Sequence, residues 1–184
     1  MKTKRVRDLM VPLSAYATVP EDATLTEAVA ALKQSHEDFD KAKYRHRAVL
    51  VLGKDRNLSG KVTLHAILKA LEPKFEDMFS DTGSMHVGFT RKYQKAIFDS
   101  VKLWQDPMDE ICRKAAQVQV KNFMVPPREG EMIEPEALLG EAVHQLVLGQ
   151  YQSLLVVQDK QVVGVLRLTD VAEAVIDEIL ACNL

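Results

Sequence analysis

An internal repeat constrains the fold of this chain more than any other feature of its sequence. The segment from Val6 to Pro12 matches the segment from Val120 to Pro126 without a gap. The same offset pairs Glu27-Ala28-Val29 with Glu141-Ala142-Val143, so the apolar positions recur in one register. A match of this length indicates two copies of one structural unit.

The register of the repeat shifts further along the chain. Val49-Leu50-Val51 aligns with Leu155-Val156-Val157, and Gly60 aligns with Gly164, at successively smaller offsets. The first copy therefore carries extra residues before its middle strand and a few more in the turn after it. Because buried loops would leave backbone polar groups unsatisfied, we place the larger insertion in the charged stretch 35–45, at the surface.

Each copy has the pattern β-α-β-β-α. An extended piece ends near Thr18-Val19 or Met132-Ile133, and a helix with apolar residues at positions i, i+3, i+4 and i+7 follows it. A continuous apolar run, 48–52 or 154–157, then predicts a strand that is covered on both faces. A turn, a second strand over 60–63 or 162–166 and a second helix complete the copy. The helical stripes are Leu25, Ala28, Val29, Leu32 and Leu139, Ala142, Val143, Leu146. The closing helices are predicted over 64–71 and from Leu168 to about Leu180, the latter burying Val171, Val175, Ile176, Ile179 and Leu180.

The segment between the copies has a different character. Residues 80–84 are typical of a loop, whereas Lys92 to Trp104 has helical apolar spacing. A second helix is predicted to start at Asp106-Pro107, with Asp106 as its cap and Pro107 in its first position. We expect these two linker helices to rest on the pair of copies or on a second subunit.

Composition narrows the functional classes. Apolar residues make up 47% of the chain, enough for a packed core, and the net charge is only −2. A balanced charge gives no overall field that would hold nucleic acid or an anionic membrane. No apolar run is long enough to span a membrane, and none follows the basic N-terminus as in a signal peptide, so we expect a cytoplasmic protein.

The cysteines and histidines do not suggest chemistry. Cys112 and Cys182 lie outside any metal-binding or redox spacing, and we expect both to be buried as small apolar residues. The five histidines show no metal-ligand spacing. The chain also lacks a glycine-rich phosphate loop and any arrangement of a nucleophile with a neighbouring base. We therefore expect no metal site and no enzymatic activity.

The two copies resemble the cystathionine β-synthase (CBS) domain. Val6-x-Asp8-x-Met10 is similar to the opening motif of that family, and Gly164 to Asp170 is similar to its closing motif. The resemblance covers residues 6–72 and 120–181. It implies an α/β fold of two β-α-β-β-α CBS units, 1–72 and 120–184, packed as a pseudo-twofold pair with a helical linker over 73–119. It also implies a homodimer.

The resemblance further implies an adenine ligand in the clefts between paired units. No cofactor would be required; the ligand would be AMP, ADP, ATP or S-adenosylmethionine. In the family, a hydroxyl three residues before an Asp contacts phosphate, and the Asp accepts hydrogen bonds from the ribose. Here Asp170 is present with Arg167 in place of the hydroxyl, whereas the first copy has Thr63 but Ala66 in place of the Asp. Thr169 and the backbone near Val19 and Ile133 complete the candidate ligand-binding set.

Two functional hypotheses stay open. In the first, adenine-nucleotide binding changes the packing of the two copies, and an unidentified protein effector responds. In the second, the clefts hold no ligand, and the protein acts as an assembly module through dimerisation and its linker. Asp170 and Thr169 would then be ordinary helix caps, and Arg167 a surface residue.

Overall fold

The computed structural model describes residues 4–38, 45–55, 57–72, 90–101 and 106–182. Within these ranges, the order β-α-β-β-α occurs twice, as predicted. The first unit has β2 (Thr18–Pro20), α1 (Leu25–Asp38), β3 (Ala48–Leu52), β4 (Leu58–Thr63) and α2 (Leu64–Leu71). The second has β5 (Met132–Ile133), α5 (Leu139–Gly149), β6 (Ser153–Gln158), β7 (Gln161–Arg167) and α6 (Leu168–Ala181). A short strand, β1 (Val11–Pro12), precedes the first unit.

The two sheets have the same topology. In the first, β3 is central, parallel to β2 and antiparallel to β4. In the second, β6 lies parallel to β5 and antiparallel to β7. This arrangement follows from the sequence, because a helix separates the parallel strands and a tight turn separates the antiparallel ones. The turn Asp159-Lys160 has positive φ at both positions, as a two-residue hairpin requires.

The opening segments are exchanged between the units. β1 pairs with β7 of the second unit, and Val6 is fully buried in the second core. In the symmetric contact, Val125 pairs with Lys61 on β4, and Val120 is fully buried in the first core. Backbone hydrogen bonds fix both exchanges, since Val6 N donates to Ala137 O and Val120 N donates to Ala23 O. The repeat predicted both segments but not this exchange.

The paired strands correct the sequence alignment of the middle strands by one residue. Val51 lies opposite Gly60, and Val156 lies opposite Gly164, so Val51 corresponds to Val156. The sequence alignment paired Val51 with Val157. A shift of one residue in a strand exchanges its two faces, and a continuous apolar run cannot reveal which face a residue occupies.

The inner faces of the two sheets form a shared core. Leu50 of the first unit and Leu155 and Val165 of the second are almost fully buried in one cluster, together with Val11 and Tyr16. Each unit also has its own core between its sheet and its helices. The pseudo-twofold packing predicted from the repeat is therefore confirmed.

The helices mostly follow their predicted stripes, although Val29 of the α1 stripe is 42% exposed. Thr24 caps α1 through a capping box, in which Glu27 N donates to Thr24 Oγ1 and the Glu27 carboxylate accepts from Thr24 N. In α6, however, only the first half is covered. Val171 is buried as predicted, whereas Ile176, Ile179 and Leu180 are 54–76% exposed. The predicted burial of those three residues is wrong, because the 14-residue α6 is longer than its 8-residue counterpart α2 and extends beyond the core.

The linker contains two helices within its described part, α3 (Arg91–Val101) and α4 (Met108–Gln117). The predicted loop at 80–84 and Trp104 lie outside the described residues. The second helix starts one residue later than predicted, with Pro107 as its N-cap residue. The Asp106 carboxylate accepts from Lys114 Nζ at 2.5 Å, and its predicted role as the cap stays a prediction. α4 rests on α1 and α2 of the first unit, so this helix does contact the pair, and contact with a second subunit stays a prediction.

The charged insertion is partly helical. α1 continues through Asp38, one turn beyond the end of the equivalent helix α5, and residues 39–44 lie outside the described part.

Cys112 and Cys182 are both exposed, so the prediction that they are buried is wrong. A single small residue in a helix does not by itself show which face of the helix is buried, so the sequence pattern could not place either cysteine. No helix in the described ranges has the length and apolarity to cross a membrane.

Candidate functional site

Two cavities meet at the N-terminus of α6. The first, which we call the outer cavity, has a volume of about 580 Å³ and lies between the exchanged opening segment and α6. Met10, Val11, Pro12 and Ala15 form its apolar side. The second, which we call the basic cleft, has a volume of about 490 Å³ and lies between the two units. Arg167 lines both cavities.

Arg167 and Asp170 form a bidentate ion pair where the cavities meet. Arg167 Nε lies 2.5 Å from Asp170 Oδ2, and Arg167 Nη2 lies 2.5 Å from Asp170 Oδ1. The side chain of Arg167 is only 6% exposed, and that of Asp170 is 16% exposed. The alternative that Arg167 is a surface residue is therefore wrong. A carboxylate has about four acceptor positions, so Asp170 keeps acceptor capacity towards the outer cavity.

Asp170 and Thr169, the two candidate caps of α6, do not occupy its N-cap position. α6 begins at Leu168, so Arg167 occupies the N-cap position, without a side-chain capping bond. Asp170 and Thr169 therefore lie within the first turn, and neither is the N-cap. In the first unit, Thr63 does cap α2, because its Oγ1 accepts from Ala66 N at 3.1 Å. The family resemblance assigned this hydroxyl to phosphate; here its oxygen accepts the capping hydrogen bond.

The structure brings together four of the six predicted site residues. Thr63, Thr169 and Arg167 line the basic cleft, and Asp170 joins Arg167 in the outer cavity. Val19 and Ile133 lie in the separate cores of the two units, 7% and 8% exposed, and line neither cavity. The backbone beside the outer cavity instead comes from residues 10–12. A role for Val19 and Ile133 in ligand binding stays a prediction.

The two cavities have opposite charge. The outer cavity is lined by four carboxylates, Asp8, Asp170, Glu173 and Asp177, and by the cations Lys4 and Arg167. The basic cleft is lined by five cationic residues and one carboxylate: Arg45, Arg47, Lys61, Arg128, Arg167 and Glu131. Lys61 Nζ and Glu131 Oε2 form an ion pair at 2.8 Å, with side chains only 14% and 8% exposed.

Tyr16 and His46 lie beside the Arg167–Asp170 ion pair. The two rings are in edge-to-face contact, with centroids 4.2 Å apart, and both residues are buried. Burial, together with the neighbouring Arg167 and His36, lowers the pKa of His46 to about 4. Burial also raises the pKa of Tyr16 to about 12. Both rings are therefore neutral at pH 7.

Sequence reasoning missed most of the cations of the basic cleft. Arg45 and Arg47 flank His46 just before β3, and this local cluster of basic residues was a usable signal. Lys61 and Arg128 are far apart in the chain and converge only because the opening segments are exchanged. No cluster of three or more potential metal ligands occurs among the described residues.

Comparisons with known proteins agree with the fold. The CBS domain family model matches residues 6–73 and 120–177. A CBS domain of a membrane protein from Sphaerobacter thermophilus has a similar structure, with 19% identity, a TM-score of 0.62, and coverage of 94% of this chain and 88% of that one. CBSX2 from Arabidopsis thaliana has 16% identity, a TM-score of 0.59, and coverage of 97% and 98%.

A structure of CBSX2 in complex with AMP is also similar, with 18% identity, a TM-score of 0.57, and coverage of 95% of this chain and 98% of that one. No curated protein matches the sequence. The two matched segments cover more than half of the chain and coincide with the two structural units. The chain therefore belongs to the CBS domain family and carries two CBS domains in tandem.

Proposed function

We propose that this protein is a non-catalytic regulatory module that senses an adenine nucleotide at the junction of its two cavities and signals to a protein effector. The observation that carries the proposal is the buried Arg167–Asp170 pair, which joins an acidic cavity with an apolar side to a basic cleft. A nucleotide has two corresponding parts: a neutral nucleoside, which suits the outer cavity, and anionic phosphates, which suit the basic cleft. The similar CBSX2 structure in complex with AMP supports this choice of ligand.

Each part of the nucleotide has a counterpart in the site. The adenine packs against the apolar side formed by residues 10–12 and Ala15, where backbone groups recognise its polar edge. Asp170 accepts hydrogen bonds from the ribose hydroxyls, since a carboxylate can accept two at once. Arg167 contacts the first phosphate, and Thr169 lies on the same side in the basic cleft.

Signalling requires that the ligand prefer one packing of the two units. We infer such a preference because the outer cavity is lined by the first opening segment and the second unit, and the basic cleft by both units. A bound nucleotide would thus couple parts that come from both halves of the chain. The effector and the cytoplasmic location stay predictions.

Thermal unfolding with AMP, ADP, ATP and S-adenosylmethionine tests the proposal. Ligand at about one hundred times its Kd stabilises the native state by about 2.7 kcal/mol, which raises the melting temperature measurably. Asp170→Asn should remove most of the shift, because an amide replaces one acceptor by a donor. Asp99→Asn, an exposed change on the linker helix, is the matched control. No shift with any of the four compounds at millimolar concentration would refute nucleotide sensing.

One observation favours the second candidate, an assembly module. Val147 and Leu148 at the end of α5 are 67% and 72% exposed. The equivalent residues of the first unit are the polar Lys33 and Gln34, so the difference is specific to the second unit. An exposed apolar surface on one of two related units indicates a protein contact, and we propose that a second copy of the chain covers it.

Size-exclusion chromatography with light scattering tests the homodimer. Leu148→Asp should shift the protein to the mass of a monomer. Met108→Asp changes a comparably exposed apolar residue on the linker helix α4 and should leave the dimer intact. A monomeric wild-type protein, or a dimer that is lost only with Met108→Asp, would contradict an interface on α5.

A further inference from the structure

The basic cleft carries more positive charge than contact with one phosphate requires. Two of its five cations already have carboxylate partners: Lys61 pairs with Glu131, and Arg167 pairs with Asp170. The other three, Arg45, Arg47 and Arg128, are exposed, and no carboxylate of the described residues lies within ion-pair distance of them. The cleft therefore keeps about three positive charges after its internal pairs are counted.

Two helix N-termini add to this field. Leu64 and His65, in the first turn of α2, line the cleft, as does Thr169 in the first turn of α6. The N-terminus of a helix carries a partial positive charge, which suits an anion. Several first-turn N–H groups already donate within the chain, Leu64 N to Arg47 O, Ala66 N to Thr63 Oγ1 and Leu168 N to Gln152 O, so the partial charge is the contribution of these helix ends. Both closing helices thus face the same cavity from opposite units, and their partial charges add to those of the arginines.

We propose that the basic cleft binds a chain of phosphoryl groups and that Arg45, Arg47 and Arg128 select for its length. The inference rests on the proposed function only for the nucleoside end; the phosphate chemistry follows from the cleft itself. An oligophosphate carries several negative charges in a row, and arginine binds phosphate oxygens through two parallel N–H donors. The cleft volume of about 490 Å³ leaves room for more than one phosphoryl group.

This arrangement ranks the adenine ligands. ATP places three phosphates in the cleft and engages the three arginines, whereas AMP reaches only as far as Arg167. S-adenosylmethionine has a positive sulfonium centre in place of the phosphates, and the cationic cleft disfavours it. Inorganic tripolyphosphate shares the chemistry of the ATP tail, so it should bind to the cleft without a nucleoside. Because the three arginines are exposed, each one that contacts phosphate should contribute a several-fold gain in affinity, and together they should favour ATP over AMP by at least about tenfold.

Isothermal titration of the full chain tests the proposal with four ligands: ATP, AMP, S-adenosylmethionine and inorganic tripolyphosphate. We expect ATP to bind at least about tenfold more tightly than AMP and S-adenosylmethionine to bind most weakly. Arg45→Gln, Arg47→Gln and Arg128→Gln should each weaken ATP and tripolyphosphate binding several-fold and leave AMP unchanged. Arg113→Gln, on the exposed surface of α4 and outside the cleft, is the matched control.

The salt dependence of the wild-type protein gives a second test that needs no variant. Exposed charges are screened by salt, so raising the ionic strength should weaken ATP binding far more than AMP binding. Equal affinities for ATP and AMP, with no binding of tripolyphosphate, would overturn the role of the cleft and leave nucleotide sensing intact. Arginine-dependent binding of tripolyphosphate alone would support the cleft and refute nucleotide sensing. A protein that binds none of the four would refute both.

Discussion

The Arg167–Asp170 pair should show strong energetic coupling. Arg167 is only 5% exposed, and Asp170→Ala removes two acceptors of its guanidinium. Breaking a buried ion pair from one side costs about 3–5 kcal/mol, and the opening at Asp170 lets water reach the cation, so we expect about 3 kcal/mol. Arg167→Met leaves a more accessible carboxylate at a helix N-terminus, where the dipole favours it, and should cost about 1–2 kcal/mol.

The double variant distinguishes pairing from two independent contributions. Replacing both members of a buried pair by apolar groups is often close to neutral, so Arg167→Met with Asp170→Ala should cost about 1 kcal/mol or less. Independent contributions would instead add to about 4–5 kcal/mol, the sum of the two single changes. The expected coupling energy is therefore about 3–4 kcal/mol.

Urea unfolding at pH 7.5 measures this cycle. At that pH His46 is neutral, since its pKa of about 4 lies far below, so its protonation does not contribute. Asp177→Ala, an exposed change on the same helix that also lines the outer cavity, should alter the free energy of unfolding by less than about 0.5 kcal/mol. A double variant as unstable as the sum of the single variants would refute the reasoning.

Three further predictions concern the rest of the fold. The pKa of His46 falls from 6.5 to about 4 on folding, so the unfolded chain binds a proton at a higher pH than the folded chain does. The free energy of unfolding should therefore decrease by about 2 kcal/mol from pH 7 to pH 5. His46→Leu should flatten this part of a plot of urea midpoint against pH, and an unchanged slope would contradict the assignment. A Cβ atom on Gly164 would lie 2.7 Å from Val11 O of the exchanged strand, so Gly164→Ala should cost about 1–3 kcal/mol in chemical denaturation, whereas Gly140→Ala, with no atom within 4 Å, should cost nothing. Thr24→Ala removes the capping box of α1 and should lower the free energy of unfolding by about 1 kcal/mol, while loss of less than a few tenths would show that water replaces the cap.

The parts of the fold that depend on local sequence were predictable. The apolar stripes of α1 and α5 and the paired apolar runs of the strands located each unit, because they reflect burial against a neighbouring element of the same unit. The alignment of the two middle strands with each other was wrong by one residue. Val49 to Val51 are all buried, so no polar residue in the run shows which face of the sheet each side chain occupies. The exposed end of α6 was also missed, because helical periodicity does not show where the core ends.

The candidate site was predictable only in part. Asp170 and Arg167 occur close together in the sequence, and the family resemblance identified both. Their i,i+3 spacing at the start of a predicted helix was a local signal for the pair, whereas the convergence of Lys61 and Arg128 in one cleft depends on tertiary contacts between distant segments. Charge patterning along a chain cannot show such convergence, except locally at Arg45 and Arg47.

The exchange of opening segments makes the two halves of this chain mutually dependent. Val6 fills a place in the interior of the C-terminal half, and Val120 fills the equivalent place in the N-terminal half, each with no exposed surface. A cut in the linker before α4 would therefore yield two fragments that each lack an interior residue and an edge strand partner. Such fragments should remain unfolded when separate and regain structure when mixed, because folding of either half requires the other half.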